Sequence, residues 1–239
     1  MFFKAFLDIL FPPRCHACRC FLAEPVDIHL CHACREKIRV VASPLCTICG
    51  APFATENGID HPCGHCLTTR RPFAGARTAA LFEGPLQELI HRFKYGRKIQ
   101  LSRPLGLLTA SALWDYQAGL SLDYVVPVPL HRRRLRERGF NQSQLIGRIL
   151  AKNWKIPLSV NNLRRIRWTT PQTCLSAAER ERNIKGAFDV AMTDSFKGKR
   201  LLLVDDVYTT GNTVSECAKT LRQSGAKEVH VVTVARSVI

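Results

Sequence analysis

No stretch of this 239-residue sequence approaches the roughly 18 consecutive apolar residues that a transmembrane helix needs. The opening Met1 to Phe11 is apolar apart from Lys4 and Asp8, but it is too short to span a bilayer. It also lacks the longer apolar core and small-residue cleavage site of a secretory signal. We read it as a short helix packed on the protein, with at most a weak membrane-surface contact and no stable insertion. With no secretory signal the expected compartment is the cytoplasm, where thiols stay reduced.

Acidic residues are scarce. The chain carries 19 Asp and Glu against 35 Lys and Arg, a formal net charge of +16. The excess is concentrated: between His131 and Lys185 there are 14 Lys and Arg against 3 acids. A solvated basic face is the plain alternative, but such a density points to an anionic partner, either nucleic acid or a phosphorylated small molecule. Two common nucleotide signatures are also missing. There is no Gly-Lys-Ser/Thr Walker loop and no G-x-G-x-x-G dinucleotide turn.

What is present begins with cysteine. Residues 14–67 hold four Cys-x-x-Cys pairs: Cys15/Cys18, Cys31/Cys34, Cys46/Cys49 and Cys63/Cys66. A tight Cys-x-x-Cys turn aims two thiolates at one point, and a second turn completes a tetrahedral site. Four pairs at near-even spacing predict two structural zinc sites, each held by four cysteines. Sequential pairing closes the least chain, while spacing alone leaves an interleaved arrangement open. Redox motifs do not come in fours, and each site is closed to substrate. Cys20, His16, His32, His61 and His65 are surplus to four-coordination, and any of them is a stand-in if one pair fails. The knuckles have little apolar material, so metal binding supplies most of their folding free energy, on the order of 10 kcal/mol per site.

The rest of the chain alternates strands and helices. Ala74 to Phe82 reads as a strand. Gly84 and Pro85 open a helix with Leu86, Leu89, Ile90 and Phe93 on one face. Leu101 to Tyr116 reads as a second helix, and Asp123 to Val128 as the first core strand of an α/β domain. His131 to Asn141 is expected to be a basic loop, followed by a helix over Gln144 to Trp154. Its five arginines suit bidentate phosphate contacts. Residues 162–188 form a longer basic connection, with a capping box at Ser176 and Glu179 and a strand over Phe188 to Ala191. A polar loop of that length beside a ligand site suits a cover. Gly225 ends the last helix, and Glu228 to Ala235 is the closing strand.

Residues 200–215 organise this domain. Leu201 to Val204 is an unbroken apolar run, as in a strand buried on both faces of a parallel sheet. Asp205 and Asp206 are expected where that strand ends. Thr209, Thr210, Gly211, Asn212 and Thr213 follow, then helical spacing at Val214, Cys217, Ala218 and Leu221. A small-residue turn between strand and helix presents backbone N–H groups to an anion, phosphate above all. A helix start alone needs one capping residue, not two acids followed by Thr-Thr-Gly-Asn-Thr.

Leu201 to Thr213 resembles the signature of the type I phosphoribosyltransferases: four apolar residues, two acids, two more positions, then Thr-Thr-Gly-x-Thr. Tyr208 departs from it, since an aliphatic residue is usual there. The resemblance implies that Asp205 and Asp206 contact ribose hydroxyls, directly or through hydrated magnesium. It also implies that Thr209 to Thr213 wrap the 5′-phosphate of phosphoribosyl pyrophosphate (PRPP). Over nearly its whole length the chain is similar to the ComF family of competence proteins. The shared features are Leu10-Phe-Pro-Pro-Arg-Cys15, the paired knuckles, Lys94-Tyr95-Gly96, Pro127-Val-Pro-Leu-His131, Arg138-Gly-Phe-Asn-Gln142, Gln172 and Arg182-Asn183.

That similarity implies an N-terminal double zinc ribbon over residues 1–70 and a phosphoribosyltransferase-like parallel sheet with flanking helices over 71–239. It implies Arg134, Arg138 and Asn141 as pyrophosphate-side contacts, with Lys94 beside them, and magnesium arriving with PRPP. It implies a part in natural transformation, handling single-stranded DNA together with other DNA-uptake proteins. The basic belt of Arg132, Arg133, Arg136, Arg164, Arg165 and Arg167 is the expected DNA surface. Trp168 is its stacking residue, while Trp154 and Phe140 belong to the core. Three readings follow: a DNA-handling protein with a PRPP site, an active transferase with an unidentified acceptor, or a scaffold whose phosphate loop is idle.

Overall fold

The computed structural model describes residues 12–22, 29–55, 57–169 and 182–237. The helix expected at Met1 to Phe11, Gln172 and the Ser176/Glu179 box lie outside the described residues.

Helices α1 (His32–Glu36) and α2 (Gly64–Thr68) belong to the cysteine-rich region. Then follow β1 (Gly75–Leu81), α3 (Gly84–Tyr95), α4 (Ser102–Ala112), α5 (Trp114–Ala118), β2 (Tyr124–Pro127), α6 (Arg132–Arg138) and α7 (Gln142–Trp154). The chain closes with β3 (Leu163–Arg165), β4 (Phe188–Val190), β5 (Arg200–Tyr208), α8 (Asn212–Gln223) and β6 (Glu228–Arg236). Strands β1, β6, β5 and β2 form, in that order, a four-stranded sheet paired in parallel throughout. Strands β3 and β4 form a separate antiparallel pair.

The apolar run of β5 is buried on both faces, as the pattern predicts. Leu202 and Val204 enter the core beneath α3, α4 and α7, while Leu201 and Leu203 enter the core beneath α8. The period-2 alternation of a strand makes both faces apolar when helices cover both sides. The helical faces also fall as their spacing demands: Leu86, Leu89, Ile90 and Phe93 on α3, and Val214, Cys217, Ala218 and Leu221 on α8, are all buried. Trp154 and Phe140 are core residues.

The cysteine-rich region docks on the β1 edge. Val41 N–H donates to Ala79 O, Leu81 N–H to Arg39 O and Ala76 N–H to Ile48 O, at 3.0, 2.9 and 2.7 Å. This caps an edge that would otherwise expose unpaired backbone groups. Gly50 makes the approach possible: it has φ +68°, and a Cβ there would overlap the Ala76 carbonyl oxygen. Cys15 and Cys34 join the α3/α4/α7 core, and Cys46, Cys49 and Cys66 the α8 core, so the two knuckles pack on opposite faces of the sheet.

Four expectations need correction. The strand does not end at the acids: β5 continues in register with β6 to Tyr208, whose side chain is buried. The segment after His131 is not a loop. Arg132–Arg138 is helical, started by Arg133 N–H donating to His131 Nδ1 (3.3 Å) and closed by left-handed Gly139 (φ 82°). The second helix breaks at Leu113 into α4 and α5. Finally, Asp123–Val128 does not contribute the first strand of the sheet, because β1 already forms one of its edges.

Candidate ligand site

The strand ends and four helices, α3, α6, α7 and α8, converge on a cleft of about 1130 Å3 at the carboxyl edge of the sheet. Open parallel sheets bind ligands at this edge. Asp205 and Asp206 form its floor. Asp205 Oδ1 accepts from Ser143 Oγ and from the Asp206 amide, each at 2.9 Å. Asp206 pairs with Lys94 Nζ at 2.9 Å, from the last turn of α3. Burial, then the adjacent Asp206 charge, raises the Asp205 carboxyl to about 7, against the opposing pull of Lys94, the Asp206 amide and Ser143.

One wall is the turn from β5 into α8. Gly211 caps the helix in the left-handed region (φ +79°) with no side-chain cap bond, so the turn leads straight into the helix N-terminus. Around it, Tyr208 Oη, Thr210 Oγ1 and Ser215 Oγ are buried with no hydrogen-bond partner among the described residues. Native interiors rarely leave such groups unpaired, so the cluster fits an absent polar ligand. Backbone amides at a helix start and unpartnered hydroxyls are donors that suit phosphate.

The opposite wall is basic and aromatic. Arg134 is half-buried, and burial together with nearby Arg138 lowers its pKa from the ordinary arginine value. Arg138 lies over the Tyr95 ring at 5.4 Å and donates to Gln142 Oε1 at 3.1 Å. Arg133 and Arg134 sit over the Trp168 ring at 4.8 and 5.7 Å. Arg165 bonds Thr169, while its buried Nε has no partner among the described residues. Crowded guanidinium groups with spare donors form a site for an anion.

The expected PRPP residues Lys94, Arg134, Arg138, Asp205, Asp206, Thr209, Gly211 and Thr213 line this cleft. Thr210 and Asn212 belong to the same turn. Asn141 does not line the cleft. Its Oδ1 caps α7 by accepting from the Ser143 and Gln144 amides, and its Nδ2 donates to Val128 O. Of the expected DNA belt, Arg133, Arg165 and Trp168 line the cleft too. Arg132 and Arg136 are exposed on α6, Arg164 bonds Asn161 O, and Arg167 bonds the carbonyls of Asn183 and Lys185. Ser143 and Gln142 are site residues the sequence reading missed. Gln142 was visible only as the end of the shared Arg138-Gly-Phe-Asn-Gln142 run, and Ser143 only by its place in the first turn of the helix that follows the basic segment.

The cysteines form two groups, Cys15/Cys18/Cys31/Cys34 and Cys46/Cys49/Cys63/Cys66, with the ligand sulfurs of each within 4.8 Å of one another. The pairing is sequential. Amides point at the sulfurs, as metal-bound thiolates require: Cys31 N–H to Cys15 Sγ, and the Cys49 and Cys63 amides to Cys46 Sγ. Burial raises Cys46, but the amides outweigh it and bring the thiol down to about 6. Both donor sets suit tetrahedral zinc. Cys20, His16, His32, His61 and His65 take no part in either group.

Residues 6–67 match the double zinc ribbon domain family, and residues 144–237 match the phosphoribosyl transferase domain family. The chain is 34% identical to competence protein F of Haemophilus influenzae, covering 87% of this chain and 90% of that protein. The chain belongs to the ComF family. It is also 37% identical to DNA utilization protein YhgH of Escherichia coli K12, covering 92% and 95% of the two chains. Competence protein ComFC of Bacillus subtilis is 27% identical, covering 91% and 88%. Between the two matched segments of this ComF chain lie α3 and α6, which bring Lys94, Arg134 and Arg138 to the cleft. Among the described residues no helix is long and apolar enough to cross a membrane.

Proposed function

We propose that this ComF protein binds PRPP in the cleft and works in the handling of single-stranded DNA during competence or DNA utilization. The observation that carries the reading is one cleft that gathers an acid pair, the β5–α8 turn and a cluster of arginines. Hydroxyls and amides surround the β5–α8 turn, guanidinium groups line the opposite wall, and Asp205 and Asp206 lie between them. A 5′-phosphate fits the turn, a ribose the acids and a pyrophosphate the arginines.

The two carboxylates are hard oxygen donors that suit a magnesium ion carried in with the ligand, which would neutralise pyrophosphate charge. The chain's own part is to place the three anionic or polar portions of the ligand at fixed separations. Lys94 neutralises Asp206 until the ligand arrives. The exposed arginines of α6, with the names of the relatives, support the DNA role. They form a basic strip beside the cleft that suits a nucleic-acid backbone.

A second reading, transfer of phosphoribose to an acceptor, is favoured by the size of the cleft. Its volume of about 1130 Å3 exceeds the usual range for one small ligand, leaving room for an acceptor beside Trp168. Phosphorus NMR of PRPP with magnesium tests both. Broadened PRPP resonances with no free pyrophosphate support binding alone. Pyrophosphate that appears only when single-stranded DNA or a nucleobase is added supports transfer. Resonances unchanged by stoichiometric protein would contradict both.

A further inference from the structure

Tyr208 is 2% exposed, and its hydroxyl has no hydrogen-bond partner among the described residues. It lies directly against Gly211, where an added Cβ would overlap the hydroxyl and stand 2.5 Å from Tyr208 Cζ. The phenol is thus the support on which the anion-binding turn rests. Its ring is covered by the guanidinium of Arg236, 4.4 Å from the centroid. Tyr208 and Arg236 are also register partners in β5 and β6.

Arg236 is itself buried, at 9% exposure. It donates from Nη1 to Cys49 O at 2.7 Å, and Nη2 stands 3.7 Å from Cys49 Sγ. It has no carboxylate partner among the described residues. A buried guanidinium without a counter-charge is costly. Four thiolates around a divalent ion carry a net double negative charge, so the metal-loaded group of Cys46, Cys49, Cys63 and Cys66 supplies the anion that Arg236 lacks.

We propose that the second four-cysteine group and the β5–α8 turn form one coupled unit, with Arg236 and Tyr208 as the positioning residues between them. Metal in the cysteine group holds Arg236. Arg236 holds the Tyr208 ring, and the ring fixes Gly211 and the amides beside it. The inference rests on the reading of residues 209–213 as a phosphate site. Coupling of two binding sites is reciprocal. Zinc therefore strengthens PRPP binding, and PRPP retains zinc.

The test combines calorimetric titration with Mg2+–PRPP and zinc release to a chromogenic chelator, with and without PRPP, on the full chain. In wild type, PRPP slows the release of one of the two zinc equivalents by about tenfold. Arg236→Gln keeps two zinc equivalents, weakens PRPP by a similar factor and abolishes the protection, and Arg236→Lys restores part of both. A purely structural arginine would lower the melting temperature and leave PRPP affinity and zinc protection as in wild type, which would overturn the coupling. If Arg236→Gln does not fold, Tyr208→Leu carries the test. It keeps an apolar side chain in the core and removes the ring, and unchanged protection there would overturn the proposal. Wild type that binds PRPP yet releases zinc at a PRPP-independent rate would overturn the coupling alone. Wild type that binds no PRPP would overturn the phosphate-site reading and the coupling with it.

Discussion

The two ends of the parallel sheet differ in how their polar groups are satisfied. At the amino end the charged groups have partners. Asp123 accepts from Lys199 Nζ (3.2 Å) and the Arg200 amide (2.8 Å), Arg200 pairs with Glu228, and His230 Nδ1 meets the Tyr116 hydroxyl at 2.9 Å. At the carboxyl end, Gln142 Nε2, Arg165 Nε, Tyr208 Oη, Thr210 Oγ1 and Ser215 Oγ have no partner among the described residues, and two carboxylates sit side by side. The same strands thus carry a finished polar network at one edge and an unfinished one at the other. Of the six buried side-chain atoms left unpaired among the described residues, these five gather at the carboxyl edge and Arg71 Nε is the sixth, and such a concentration marks the end that expects a ligand. Substitutions at the carboxyl edge should therefore change binding, and those at the amino edge should change stability alone.

The largest effect is expected from Asp205→Asn with Asp206→Asn. Losing two charge-assisted contacts weakens Mg2+–PRPP by at least about a hundredfold, with the circular dichroism spectrum unchanged. Wild-type affinity in that variant would erase the contrast between the edges. A second test sets stability against function at one residue. Asp205 is raised to about 7, so its carboxyl favours the protonated folded state. Its cost to stability is absent below about pH 4, grows as pH rises to about 7 and then stays constant. Asp205→Asn should accordingly raise the ligand-free melting temperature by a few degrees at pH 8, with the gain vanishing near pH 4. A loss at pH 8 would place Asp205 among the structural carboxylates.

Asp123 is the opposite case. The Arg200 amide, with help from Lys199 against burial, holds its carboxyl below the usual value. Its contribution is present above about pH 4 and is lost as pH falls through the lowered value. Because the group is partly exposed, Asp123→Asn should cost under about 1 kcal/mol at pH 7 and leave the PRPP dissociation constant unchanged. A change in affinity would show that the two edges communicate. The smallest expected effect lies outside the cleft. Replacing Arg132 and Arg136 by glutamine should make the logarithmic salt dependence of single-stranded DNA binding shallower by about 1 to 2 units, with PRPP affinity intact.

What was legible in the sequence follows the same division. The acids and the Thr-Thr-Gly turn are contiguous, so their strand–turn–helix context could be read directly. The two four-cysteine groups were legible for the same reason, each pair being a local turn. Lys94 was named only by resemblance. Its contact with Asp206 depends on how α3 packs over β5, which no local pattern encodes. The dense arginines hid helix α6, although Gly139 was a visible stop signal. Trp168 and Arg165 were read as DNA contacts because their chain segment is basic. Their place in the cleft is set by tertiary packing, which no local pattern encodes. The link from Cys49 through Arg236 to Tyr208 joins residues far apart in the chain and had no signal in the sequence.

The most direct test of PRPP binding at the acid pair is calorimetric titration of the full chain with PRPP and magnesium, in wild type and in the Asp205→Asn/Asp206→Asn variant. Saturable binding with one PRPP per chain is expected in wild type, with a loss of at least about a hundredfold in the variant. Absence of binding in wild type, or equal binding in both, would contradict PRPP binding at that pair.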